Sequence, residues 1–127
     1  MIQPLYSFVY TSSATIRFTT LELEVLLGEA RESNRSHQVT GMLLYCDGNF
    51  FQALEGTQPA LDAVLARIRA SRRHGGLLTL FHDPIAQREF GDWDMAFRQM
   101  ERAEFQRLNI GSTPTRLLLR SFLESAR

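Results

Sequence analysis

Two rhythms run through the hydrophobic positions of this chain: short runs with strand character, and longer stretches in which apolar residues return every third or fourth place. Leu5 to Tyr10 is rich in aromatic and β-branched residues and runs into the polar Thr11-Ser12-Ser13, which predicts a first strand with Tyr10 and Ser12 at its carboxyl end. Thr19-x-x-Glu22 then has the form of a capping box, and Leu23, Leu26, Leu27 and Ala30 follow at helical spacing. The expected helix covers about 20–32, with Ser33 and Asn34 at or just past its end. The runs Val39 to Cys46 and Asn49 to Leu54 are nearly continuous in apolar residues, as suits central strands covered on both faces, and Asp47-Gly48 between them is a strong hairpin signal. Past Gly56, Pro59 sits in the first turn of a second helix, with Leu61, Val64, Leu65 and Ile68 as its stripe and an end near Ser71. Leu77 to Phe81 predicts a fourth strand ended by Asp83-Pro84, and Trp93 to Phe97 a fifth. A weak helical pattern near Glu101 to Leu108 precedes a strong one opened by Thr113-Pro114 and carrying Leu117, Leu118, Leu119, Phe122 and Leu123.

The order βαββαβ with an added strand is an α+β, ferredoxin-like layout. Two helices would lie on one face of the sheet and the C-terminal helices on the other. We accordingly expect a domain over 1–98 and a helical appendage over 99–127. At 127 residues no second catalytic domain fits, so no output enzyme is expected. Fourteen basic residues balance fourteen acidic ones, so the footprint of a direct nucleic-acid binder is missing. Cys46 is the only cysteine, and neither a signal peptide nor a membrane-length apolar run is visible. A cytoplasmic protein that does not bind membranes is the expectation. His37, His74 and His82 lack the spacing or cysteine company of a metal site, and none is expected.

The residue that asks for chemistry is Gln52, which interrupts the apolar run Asn49-Phe50-Phe51-Gln52-Ala53-Leu54-Glu55-Gly56. Left unsatisfied, each polar group of a buried amide costs roughly 1–3 kcal/mol. Gln52 must therefore bond within the protein or face a ligand in the core. Ordinary structural roles are open to its neighbours: Tyr10 as a core aromatic, Trp93 and Met95 as core fillers, and Asn34 as a left-handed helix C-cap.

Taken in order, Leu5-Tyr6-x-x-x-Tyr10-x-Ser12, Ser33-Asn34, Val39-Thr40-Gly41-Met42-Leu43-Leu44-Tyr45, Phe51-Gln52-Ala53-Leu54-Glu55-Gly56, Arg72-Arg73-His74 and Gly91-Asp92-Trp93-Asp94-Met95 resemble the BLUF family, blue-light sensors using FAD. The resemblance covers about residues 3–98. It implies a flavin photoreceptor in which Tyr10 donates an electron to the excited ring and Gln52 lies between that tyrosine and the flavin. Asn34 would bond the pyrimidine side, and Ser12 would stand near the same network. Leu26 and Ile68 would lie on either face of the ring, with Arg67, Arg73 and His74 near its edge or the cofactor tail. Trp93 and Met95, alternating along the last strand with Asp94 facing the other way, would compete for the place beside Gln52 and relay the signal to the C-terminal helices. Ser71 and Arg72 depart from the aspartate and proline common in the family.

Chemistry supports these residue types independently of the family. A glutamine amide has a donor and an acceptor end, so flipping or tautomerising it changes a hydrogen-bond pattern without a new covalent bond. The implied cofactor is non-covalent FAD, with FMN able to substitute in recombinant material. With no effector attached, output would go through an unknown protein partner or a homo-oligomer. Two other readings stay open: a flavin-free ferredoxin-like interaction module, and a small acyl-phosphate hydrolase. The second is poorly served by the Thr11 to Thr15 loop, which lacks an arginine.

Overall fold

The structure, a computed structural model, describes residues 3–91, 94–101 and 103. Trp93 and the proposed C-terminal helices lie outside the described residues. The elements are β1 (Leu5–Ala14), α1 (Thr20–Ser36), β2 (Thr40–Cys46), β3 (Asn49–Thr57), α2 (Gln58–Ala70), β4 (His74–Ile85) and β5 (Ala96–Met100). They form one five-stranded sheet in the order β4-β1-β3-β2-β5. The first four strands give the ferredoxin-like antiparallel core, and β5 lies parallel beside β2.

Local signals set most of the element starts. Thr19 caps α1, accepting from the Glu22 N–H at 3.1 Å while the Glu22 carboxylate returns to the Thr19 N–H at 3.1 Å, which completes the capping box. Thr57 caps α2, and Pro59 stands in its first turn. Asp47 and Gly48 both have positive φ, 50° and 79°, as a two-residue hairpin turn requires. Glycine is also obligatory at position 41, where a Cβ would stand 2.2 Å from the Ala53 carbonyl oxygen. That close approach lets β2 pack tightly beside β3, the central strand.

Four expectations are corrected. β1 runs on to Ala14, with Thr11, Ser12 and Ser13 paired to β3, so Tyr10 lies mid-strand and the expected polar loop is part of the sheet. α1 runs on to Ser36, so Asn34 lies inside its last turn; His37 is the C-cap at φ −105°, and Gln38 takes the left-handed position at φ 57°. β4 begins at His74 and continues through Asp83-Pro84. It is an edge strand, where the missing proline N–H removes no ladder bond on the open side. Two register shifts against β1 let it run on, with Gly76 at φ 65° beside one of them. β5 starts at Ala96, so Met95 precedes the last strand instead of lying on it.

Strand alternation divides the core. Phe8, Tyr10, Leu43, Tyr45, Phe50 and Leu54 face the helices and pack with Leu23 and Leu27 of α1 and Leu61, Val64 and Leu65 of α2. Val9, Met42, Leu44, Phe51 and Ala53 face the other way and pack with Phe90 and Met100. Gln52 belongs by parity to the first face and Glu55 to the second.

Candidate functional site: a cavity between two helices and the sheet

Between α1, α2 and the first face of the sheet lies a cavity of about 270 Å³. Each helix supplies residues at helical spacing: Leu26, Ala30 and Asn34 from α1, and Val64 and Ile68 from α2, whose C-cap Ser71 also lines the cavity. The sheet contributes Tyr10, Ser12, Leu43, Phe50 and Gln52. Sequence reasoning singled out Leu26 and Ile68, and the two helices bring them to the same cavity.

The deep end is polar and closed. Tyr10 stands opposite Gln52 in the β1–β3 register, and Gln52 stands opposite Leu43 in the β2–β3 register. This rung places the phenol against the amide: the Tyr10 hydroxyl donates to Gln52 Oε1. Gln52 Nε2 donates in turn to the Met95 sulfur at 3.7 Å, a weak acceptor. Tyr10, Gln52 and Met95 are 3 to 4% exposed, and burial pushes the Tyr10 phenol far above its ordinary ionisation. The phenol therefore keeps its proton at any physiological pH.

Asn34, 1% exposed, spends one amide hydrogen on the Asp94 carbonyl at 2.7 Å while lining the cavity. The same helix holds the 94–95 segment twice more. Arg31 Nε donates to the Met95 carbonyl at 3.0 Å, and Arg35 pairs with the Asp94 carboxylate at 2.9 Å. Arg31 was not foreseen, although its i−3 position relative to Asn34 puts both on one helix face and was available as a signal.

On the β4 side, His74 Nε2 donates to the Ile68 carbonyl at 2.7 Å, and Nδ1 is hydrogen-bonded with the Ser12 hydroxyl at 2.9 Å. His74 is thus a bonded wall of the cavity and no loose surface residue. Its ring also meets Phe50 edge-on, with centroids 6.2 Å apart. At the mouth, Arg67 and Arg73 converge on Glu29, another residue that sequence reasoning passed over.

The family model for BLUF, sensors of blue-light using FAD, matches residues 5–96. The chain belongs to the BLUF family. It is 33% identical over 92 residues to photoactivated adenylate cyclase subunit beta of Euglena longa, a match covering 72% of this chain and 11% of that protein. It is 34% identical over 87 residues to the alpha subunit of Euglena gracilis, covering 68% and 8%. The chain therefore spans about a tenth of the length of these relatives. Among solved structures, the dark state of BlrB, a BLUF protein, aligns with a TM-score of 0.82 at 25% identity over all of both chains. The photo-activated state of BlsA aligns at 0.75, with 25% identity, over 95% of this chain and 93% of that one. As a BLUF domain, the 5–96 unit is a blue-light sensor that uses FAD, which decides against the flavin-free module.

The residues present fit that cofactor. A BLUF flavin needs flat apolar walls for its rings, hydrogen-bonding groups at its polar edge and cations for its phosphates. The cavity offers Leu26 and Ile68, then Asn34 and Gln52, then Arg67 and Arg73. Gln52 keeps amide capacity to spare, since its Nε2 is matched here only with a thioether.

Proposed function

We propose that Tyr10, Gln52 and Met95 form the light-responsive hydrogen-bond chain of this BLUF domain, with Tyr10 as electron donor and Gln52 as the switch. The observation that carries this reading is the continuous path from the Tyr10 hydroxyl through Gln52 to the Met95 sulfur, all of it buried, with Tyr10 and Gln52 lining the cavity. FAD, when bound, supplies blue-light absorption and an excited state able to take an electron from a nearby phenol. Leu26 and Ile68 flank its ring, Asn34 and Gln52 hold its polar edge, and Ser12 and His74 brace the wall beside Gln52. Arg67 and Arg73 serve its tail.

Tyr10 acts as donor because its proton has somewhere to go: the hydroxyl already points at Gln52 Oε1. Loss of an electron would acidify the phenol, whose proton would pass along that bond to Gln52 Oε1, and return of the same electron with a proton would restore neutral Tyr10. Gln52 then turns its amide or tautomerises, exchanging the acceptor and donor it shows to Tyr10 and Met95. The bond to sulfur is weak, so breaking it costs little, and no covalent bond holds the new state. The dark state returns by itself.

Met95 carries the change outward. Its carbonyl and that of Asp94 are held by Arg31 and Asn34, and β5 begins at the next residue. A displaced Met95 side chain thus pulls on the start of an edge strand. Trp93 is proposed to compete with Met95 in this relay. Beyond β5 the signal passes to a partner protein or to a second copy of the chain, in the cytoplasm.

Absorption spectra taken before, during and after blue light test this reading. A flavin spectrum that shifts as a whole to longer wavelength and recovers in darkness, with the shift lost in Gln52→Ala, is expected. A flavin that only bleaches to its reduced form, or a shift that survives Gln52→Ala, overturns the switch.

A further inference from the structure

Across the mouth of the cavity, Glu29 of α1 faces two arginines from the other side. Arg73 Nη2 donates to both Glu29 oxygens at 3.1 Å, and Arg67 Nη2 lies 3.4 Å from one of them. All three side chains line the cavity and are 39 to 46% exposed, whereas Tyr10, Gln52 and Asn34 at the deep end are 1 to 4% exposed. The cavity is therefore uncharged and dry at one end, and ionic and wet at the other. Exposed pairs of this kind add little to stability, so folding does not require the bridge. Two guanidiniums and one carboxylate leave one net positive charge. The carboxylate takes up the donors that a phosphate would use, and its own charge opposes one.

We infer that Glu29 sets how strongly this pocket prefers phosphorylated flavins over riboflavin, by competing with the flavin phosphate for Arg67 and Arg73. The inference rests on the proposed reading that these arginines meet the cofactor tail. The ring end of the ligand is recognised without charge, so the mouth alone distinguishes a neutral tail from an anionic one. A unit charge removed ~6 Å from a phosphate, in a medium between protein surface and water, changes affinity by about tenfold. Salt should weaken the effect, since the cluster is open to solvent.

Titration of flavin-free protein with riboflavin, FMN and FAD, followed by flavin fluorescence, tests this. In Glu29→Gln the ratio of the riboflavin Kd to the FMN Kd should rise about tenfold. FAD should move the same way, and the gain should shrink at high salt. Glu29→Asp, which keeps the charge, should stay close to the wild-type ratio. In an Arg73→Gln background the Glu29→Gln gain should be smaller. An unchanged or lower ratio in Glu29→Gln, or an Asp variant that behaves like Gln, overturns the inference while leaving the flavin pocket intact. A wild-type protein that binds none of the three flavins overturns the pocket reading, and this inference with it.

Discussion

Gln52 and Glu55 sit three residues apart on β3, are 4% and 0% exposed, and point to opposite faces of the sheet. Their surroundings differ in kind. Gln52 has a phenol on one side and a thioether on the other, two groups that tolerate a change of partner. Glu55 is surrounded by donors that have no alternative: the Glu89 N–H at 2.7 Å, the Phe90 N–H at 3.1 Å and the Thr40 hydroxyl at 3.1 Å. Arg88 fastens the same turn by donating to Thr40 Oγ1, the Glu55 carbonyl and the Gln38 carbonyl at 2.7 to 3.0 Å. One strand therefore carries an adaptable polar residue toward the ligand cavity and a saturated one toward the structural face. The difference shows how a switch is kept from spreading: the connection that leads to Met95 is pinned at 88–90 around Glu55 and its 94–95 backbone is held by α1, which leaves the Met95 side chain to respond.

The strongest way to break this comparison is to remove both ends of the adaptable pair. Tyr10→Phe with Gln52→Leu should abolish the light-induced spectral shift outright. It should change unfolding free energy by less than about 1 kcal/mol, because removing both partners leaves no orphaned polar group. A large loss of stability in chemical denaturation would show that the pair is structural after all.

Glu55→Leu should do the reverse. Two backbone N–H groups and a hydroxyl lose their acceptor, at a cost on the order of 1–3 kcal/mol or more, while flavin still binds and still responds to light. A variant that keeps wild-type stability would remove the distinction between the two sites.

A pH series sharpens the same contrast. Burial raises the Glu55 carboxyl above its ordinary range, and its hydrogen bonds oppose this only in part. A carboxyl whose folded value exceeds its unfolded one binds more protons in the folded state. Its contribution to stability is therefore largest below the unfolded value and declines as pH rises through the folded one. The stability difference between wild type and Glu55→Gln, measured by denaturant titration, should thus be greatest at acidic pH, below the ordinary carboxyl range, and narrow toward neutrality.

The smallest effect belongs to Met95→Leu. The swap nearly conserves volume and should cost under about 1.5 kcal/mol, yet it removes the sulfur that accepts from Gln52. Dark recovery followed by absorption should change by a few-fold with the amplitude of the shift preserved. An unaltered rate would show that Met95 merely fills space beside the switch.

What the chain could announce by itself was local. The Thr19–Glu22 box, the Asp47-Gly48 turn and the stripes of α1 and α2 depend on residues a few places apart, and each appears where its spacing puts it. The oddity of Gln52 was equally legible, since an amide in an apolar run needs a partner wherever the strand lies. Its ordered company of motifs pointed to the family. Ends of elements were less legible: Asn34 prolongs α1 because the Asp94 carbonyl satisfies its amide, and Pro84 stays in β4 because that strand is an edge. Only the tertiary structure decided that Tyr10 and Gln52 share a rung, that Met95 precedes the last strand and touches Gln52, and that Glu29 bridges to Arg73, 44 positions away. Those contacts follow from strand register and from how two helices lie across a sheet. These are fixed by the packing of the whole core, and no short window of sequence contains them.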